Sequence, residues 1–390
     1  MKKKILVLTL ALLITGSSLC SCTQVPDKTS ESSASETTTV TSETSATKET
    51  VTETTATSET TTAVPNPRDT TPYEQVTLDG VKEHKFQATD FCFLESEKYV
   101  LFMEKDIVIP GDFAVNLDAI IGEIENQLGL SACPDTFNYT EVSDCVSSHY
   151  GINPWEGWDI GSKIPIFLEV DRTDGDQVSS GSMDGFVEIV AFELFSDELW
   201  NSVPSYRDNP DRRMDCVDYF TFVHEITHTI TLRNYGYLTK ITAEGIAEYM
   251  GRKVIDKLAD DHPSIAEYKE KRYLFDYAIP QKVNSKNAEK IFIGDYHEIS
   301  HADRGPEYVY GRYLMQYLHE TFGDDFYYRF NEKLRIERPH YKSNDYKEEE
   351  AAKYAEILKD LFGEDIFTGF GNWCVKKHHL QEKNGVFPGI

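Results

Sequence analysis

Hydrophobic positions divide the chain into a first part that predicts strands and a second part that predicts helices. Short apolar runs predict strands at residues 91–93, 98–103, 164–170 and 186–195. Residues 113–128 repeat apolar side chains close to helical spacing, and Gly129 follows as a stop signal, so a helix is predicted there.

From Met214 onward the apolar spacing is helical throughout. Helices are predicted around residues 219–232 and at 243–258, 265–277, 308–321, 324–334, 347–361 and 366–375. A sheet-containing half followed by a helical half is typical of the α+β class. We therefore predict an α+β fold, with an α/β half over residues 73–212 packed on a helical half over residues 213–390.

The N-terminal region has a different pattern. A basic start and ten apolar-type residues, too few for the roughly 20 that span a bilayer, predict a signal peptide over residues 1–21. Its end, Leu19-Cys-Ser-Cys22, resembles a bacterial lipobox, which implies lipidation of Cys22 and a lipid anchor at the outer face of the membrane. An ordinary signal peptide cut nearby is the alternative. Residues 22–72, rich in Ser, Thr and Glu, predict a disordered linker.

Composition narrows the possible partners. The net charge of −27 argues against nucleic acid and against an anionic membrane surface as partners. Of the seven cysteines, one would be removed with the signal peptide and one, Cys22, would be lipidated, which leaves five. Among these, Cys133 and Cys145 could form a disulfide across a loop. The mature chain has no CxxC pair, so a structural cysteine–zinc site is not expected.

The candidate chemistry is an HExxH motif, His224-Glu-Ile-Thr-His228. Two histidines four positions apart share one face of a helix and can bind one metal ion. Glu225, beside the first ligand, can reach a metal-bound water. A second HExxH occurs at residues 297–301, so the context has to decide which motif forms a site.

A catalytic zinc site needs a third protein ligand, and the segment Ala243-Glu-Gly-Ile-Ala-Glu-Tyr249 supplies a candidate. This segment resembles the Asn-Glu-Gly-like segment of gluzincin peptidases, the group of thermolysin-like and aminopeptidase-like enzymes, with Ala243 replacing Asn. The resemblance implies Glu244 as third ligand and Glu248 as a carboxylate that orients a ligand histidine. A solvated helix face is the alternative for Glu248. The spacing from His228 is shorter than in the aminopeptidases, and the HExxHxxGxxH pattern of metzincins is absent.

The second motif has Glu320 at the aminopeptidase spacing, but its context is poor. Gly294 precedes it and Gly305-Pro306 follows it, so a helix there would be very short. Glu320 also lacks the glycine that follows the ligand in the gluzincins. We therefore prefer the first motif and interpret the second as a surface loop.

Two further segments resemble the same peptidase group. The segment from Tyr308 through Gly311 to Gly323 resembles its Tyr-x-x-Gly helix, which implies Tyr308, or alternatively Tyr310, as the tyrosine that stabilises the transition state. Gly-Ser-Met-Asp-Gly at 181–185 faintly resembles an amine-binding segment of the aminopeptidases, but we interpret it as a hairpin turn. The resemblance to this fold implies that the strand after it, 186–195, could be the sheet edge that pairs with an extended peptide.

The resemblance implies a zinc metallopeptidase that acts on peptides or proteins and binds Zn²⁺ through His224, His228 and Glu244; we also expect a monomer. Glu225 would be the general base and Tyr308 the oxyanion donor. The alternative is a catalytically inactive, peptidase-like lipoprotein that serves as a binding module for peptides or surfaces.

Overall fold

The computed structural model describes most of the chain between residues 75 and 384. The described residues are 75–77, 90–104, 107–150, 155, 159–170, 181–183, 185–208, 213, 215–272, 282–294, 305–337 and 348–384. The predicted signal peptide, Cys22, the whole predicted linker and the second HExxH motif at 297–301 therefore lie outside the described residues.

A mixed sheet forms the centre of the first half. Its strands are β1 (Gln75–Thr77), β2 (Asp90–Glu95), β3 (Tyr99–Glu104), β4 (Ile164–Leu168), β5 (Gly181–Met183) and β6 (Phe186–Ile189). Their order across the sheet is β1-β2-β3-β4-β6-β5. Strands β3, β4 and β6 are parallel to one another, β2 and β5 pair antiparallel with β3 and β6, and β1 pairs antiparallel with β2.

Helices make up most of the rest of the described chain, and the α+β class is confirmed. They are α1 (Phe113–Leu128), α2 (Tyr139–Tyr150), α3 (Asp197–Ser202), α4 (Pro204–Arg207), α5 (Tyr219–Tyr235), α6 (Lys240–Leu258), α7 (Pro263–Arg272), α8 (Ala288–Phe292), α9 (Pro306–Phe322), α10 (Phe326–Glu337), α11 (Glu348–Phe362) and α12 (Ile366–Asn384). Among the described residues, no helix combines the length and apolar character needed to cross a membrane.

Both faces of the sheet are buried, which explains its continuous apolar strands. Leu101 and Met103 of β3 belong to a large core that also contains residues of α1, α5, α6, α9 and α12. Val100 and Phe102 point to the other face, into a smaller core shared with α2. The large core therefore includes side chains from both predicted halves, and the described residues fall in one compact unit.

The sheet edge differs from the prediction. Strand β6 ends at Ile189, and a 3-10 turn at Phe192–Leu194 follows where the strand was expected to continue. Because Gly181–Met183 pairs with it as β5, β6 is an internal strand and the prediction that 186–195 is the edge is wrong. The turn predicted over 181–185 is wrong for residues 181–183, which form β5, but a tight turn does lead into β6 at Gly185, whose φ is 96°.

Cys133 and Cys145 are not joined by the suggested disulfide. Cys133 packs against the large core on one face of the sheet. Cys145 packs against the smaller core on the other face. The sheet separates the two thiols, a separation that their spacing in sequence could not reveal.

Arg233, in the last turn of α5, ties this helix to the sheet. Its buried guanidinium donates hydrogen bonds to the carbonyl oxygens of Ala132 (3.0 Å), Ser162 (2.7 Å), Lys163 (3.1 Å) and Gly185 (2.8 Å). Burial lowers the pKa of this guanidinium below its usual value. A single cation therefore connects α5 to the segment after α1, to the start of β4 and to the β5–β6 turn.

We expect Arg233→Met to destabilise the protein by at least about 3 kcal/mol, because four carbonyl oxygens lose their donor in a buried place. Asn234→Ala is the matched control. The Asn234 amide bonds to Ser131 (2.7 Å) and Ile230 (2.8 Å) but not to the sheet turn, so about 1 kcal/mol or less is expected. Urea unfolding measures both, and equal losses would contradict the anchoring role of Arg233.

Candidate metal centre

Helix α5 places the two motif histidines on one face, one turn apart. Val223, Ile226 and Ile230 are buried and fix the helix against the core. The Nε2 atoms of His224 and His228 lie 3.1 Å apart. Two imidazole nitrogens therefore converge on one point.

Helix α6 brings the third donor. Glu244 Oε2 lies 3.3 Å from the Nε2 atom of His224 and 3.3 Å from that of His228. Three donors at Zn–ligand distances of about 2.0–2.1 Å in tetrahedral geometry are about 3.3 Å apart from one another, so the triangle fits a zinc ion. Within the described part of the chain, this is the one cluster of three or more His, Cys, Asp or Glu side chains that could hold a metal ion.

The charges of the site favour binding of a cation. Burial is the largest single effect on the pKa of His224 and opposes the charged form of the ring. The hydrogen bond to Glu244 and the charges of Glu225, Glu244 and Glu248 together exceed it and raise the pKa of His224 to about 9. Burial likewise opposes ionisation of Glu244, yet the two histidines hold its pKa well below the usual range. The carboxylate is thus ionised, and a metal ion would displace the proton from His224.

Glu248 is fully buried, which excludes the solvated helix face considered for it. Its Oε1 atom lies 3.6 Å from His224 Nδ1, the ring nitrogen that points away from the donor triangle. This distance is too long for a direct hydrogen bond. The position still matches the predicted role, because a carboxylate facing Nδ1 favours the tautomer in which Nε2 is free for a metal.

Glu225 and Tyr308 also belong to this site. Glu225 is partly exposed, and its negative charge contributes to the raised pKa of His224. The ring of Tyr308 stacks on that of His224, with centroids 6.2 Å apart and an interplanar angle of 17°. Tyr310, the alternative, lies in the core and donates a hydrogen bond to Ala288 O at 2.6 Å. Of the two tyrosines, only Tyr308 is therefore placed beside the histidines.

Helices α6 and α9 touch through their backbones at two glycines. A Cβ atom added to Gly245 would lie 2.6 Å from the carbonyl carbon of Gly311, and one added to Gly311 would lie 2.4 Å from Ile241 O. This contact brings the turn with Glu244 next to the turn with Tyr308. Both glycines are part of the motifs recognised in the sequence, but their packing role was not predicted. A glycine inside a helix is itself a signal of such a role, because it is usually kept for packing or function.

The rival ligand Glu320 lies on the surface of α9. Its carboxylate accepts hydrogen bonds from Trp373 Nε1 at 2.9 Å and Lys377 Nζ at 3.0 Å. The histidines at 297 and 301 lie outside the described residues, so the structure does not describe their relation to Glu320.

Comparison with models of known protein families and with curated proteins found no match for this chain. The geometry and chemistry of the site are therefore what indicate a function. The three predicted ligands are brought together, with Glu225 and Tyr308 beside them.

We expect Gly245→Ala to cost about 1–3 kcal/mol of stability, since the added methyl group meets backbone atoms that cannot move without separating the helices. Zinc affinity should fall with it, because the same separation moves Glu244. Gly122→Ala is the control: this glycine lies in α1, and the nearest atom to an added Cβ is Lys98 Nζ at 3.9 Å. It should gain up to about 1 kcal/mol. Thermal unfolding and zinc titration measure both variants, and equal behaviour would contradict the packing role.

Proposed function

We propose that the protein is a zinc-dependent peptidase. The donor triangle of His224, His228 and Glu244, with sides of 3.1–3.3 Å, carries the proposal. Three protein ligands leave a fourth position for water, which is the ligand number of catalytic rather than structural zinc. The thermolysin-like fold implied by the motifs is part of the proposal.

The protein residues around the triangle have complementary roles. A bound zinc ion would lower the pKa of a coordinated water from about 15.7 to about 7. Glu225, next to His224 in α5, would accept a proton from the attacking water and pass it to the leaving amine. Tyr308, stacked against His224, donates a hydrogen bond to the oxyanion that forms.

The sheet edge supports a peptide as substrate. Strand β5 is the last strand on its side of the described sheet, and both β5 and β6 contact α5, the helix with the histidines. An extended peptide that pairs with a sheet edge gains main-chain hydrogen bonds that do not depend on its sequence. Through β5 the sheet therefore offers a binding edge next to the metal-binding helix.

The expected lipid anchor at Cys22 and the linker that follows it complete the proposal. Together they would hold the peptidase at the outer face of the cell membrane, with a flexible spacer between the membrane and the folded part. Peptides and proteins outside the cell are then the substrates, and a monomer is sufficient because the described chain supplies every group of the site.

Glu225→Gln should keep zinc but lose peptidase activity by at least about 100-fold, since the amide cannot accept the proton. Zinc content and hydrolysis of casein or a peptide library, with and without chelator, are measured on the same preparations. Retained hydrolysis in the zinc-bound variant would reject the mechanism. A wild-type protein that binds zinc but hydrolyses nothing would favour the binding module instead.

Glu244→Ala should lose zinc, because two imidazoles alone bind the metal much more weakly than the three protein ligands together. Glu320→Ala is the matched control, with the same substitution at the rival position, and it should retain full zinc content and activity. Elemental analysis after dialysis decides between them. Full zinc in Glu244→Ala, or its loss in Glu320→Ala, would reject the ligand set.

A further inference from the structure

An ion pair joins the first turns of α6 and α9 beside the metal centre. Lys240, the first residue of α6, pairs through Nζ with Oε1 of Glu307 in the first turn of α9. The Lys240 side chain is 58% exposed, whereas that of Glu307 is 11% exposed. A carboxylate so little hydrated gains more from a cationic partner than a surface carboxylate does. The pair therefore restrains the start of α9, where Tyr308 follows Glu307 directly.

Lys240 also contacts Tyr308 itself. Its Nζ atom lies 5.9 Å from the centroid of the Tyr308 ring, within the range of a cation–π interaction. The same ring stacks on His224 with centroids 6.2 Å apart. Tyr308 is thus contacted by a metal-binding histidine from α5 and by a lysine from α6.

The spacing along α6 places Lys240 beside the metal site, while a separate contact holds Glu244 in position. Lys240 and Glu244 lie four residues apart, on one face of the helix. The backbone contact of Gly245 with Gly311 fixes the separation of α6 and α9 one turn further on. A change at Lys240 can therefore reach Tyr308 without moving Glu244.

We propose that Lys240, with Glu307, is the positioning residue that holds the phenol of Tyr308 toward the oxyanion of the reaction. The inference rests on the proposed peptidase function for its catalytic consequence. The contact between Lys240 and Tyr308 can be tested separately, without any catalysis.

The same two helices provide a matched control at their other end. Lys253 of α6 pairs with Asp324 Oδ1, just after α9, at 3.1 Å, and its Nζ lies 6.0 Å from the ring centroid of Tyr249. The groups are of the same kind, a lysine, a carboxylate and a tyrosine ring, but the Asp324 side chain is 85% exposed. Lys253 lies more than two turns from Glu244, so it should not affect the position of Tyr308.

The activity experiment compares Lys240→Met, Lys240→Arg and Lys253→Met in the zinc-bound protein. Lys240→Met should lower kcat about tenfold, a part of the 100- to 1,000-fold effect of losing an oxyanion donor altogether. KM and zinc content should remain within about twofold, because substrate binding and the ligand triangle are untouched. Lys240→Arg should restore most of kcat, and Lys253→Met should match the wild type. Equal kcat values for Lys240→Met and Lys253→Met would overturn the proposal.

The Tyr308→Phe background tests whether Lys240 acts through the phenol. There, Lys240→Met should have no further effect on kcat, since the group that it positions is gone. An equal loss in both backgrounds would show that Lys240 acts by another route and would overturn the proposal.

A third measurement uses the zinc-free protein. Thermal unfolding midpoints of Lys240→Met, Tyr308→Ala and the double variant should be non-additive, with the double variant more stable than the sum of the two changes predicts. Additive shifts would show that Lys240 and Tyr308 do not interact and would overturn the proposal. If the zinc-bound wild type cleaves no peptide, the proposed function fails, and this cycle still decides whether Lys240 holds Tyr308.

Discussion

The site depends on the close approach of a carboxylate on one helix to two imidazoles on another. Helix α5 alone can present His224 and His228, but the third donor has to come from α6 and reach within 3.3 Å of both nitrogens. Burial opposes ionisation of Glu244 and protonation of His224, and these groups hold each other in their charged forms. The charged forms of Glu244 and His224 stabilise each other only when α5 and α6 keep their relative position. A divalent cation would replace the proton of His224 as the positive charge beside Glu244.

Other contacts of the fold hold the helices of the site in position. Arg233 fixes the end of α5 to three segments around the sheet. The contact of Gly245 with Gly311 sets how closely α6 approaches α9, and so places Tyr308 beside His224. Side chains of all three helices pack in the large core, which contains residues of both halves. The groups with proposed chemical roles thus come from three helices: Arg233 holds α5, and one shared glycine contact holds α6 against α9.

Much of this could be predicted from local pattern, and what could not be predicted has physical causes. Helix α1 has the predicted bounds, 113–128, because its apolar spacing and Gly129 act within the segment itself. The ligand set followed from spacing and the resemblance of 243–249. Helix α2 was missed because Val142, Val146 and Tyr150 are its only buried residues, separated by polar ones. The sheet edge was misplaced because β5 has only three residues, and strand pairing is a long-range property. The role of Gly245 depends on a partner 66 positions away, which no local signal encodes.

The central claim is that the first HExxH motif, and not the second, forms a zinc site. Zinc stoichiometry of the wild type beside His224→Ala and His297→Ala tests it most directly. We predict one zinc per chain in the wild type and in His297→Ala, and almost none in His224→Ala. Loss of zinc from His297→Ala with full zinc in His224→Ala would contradict the account.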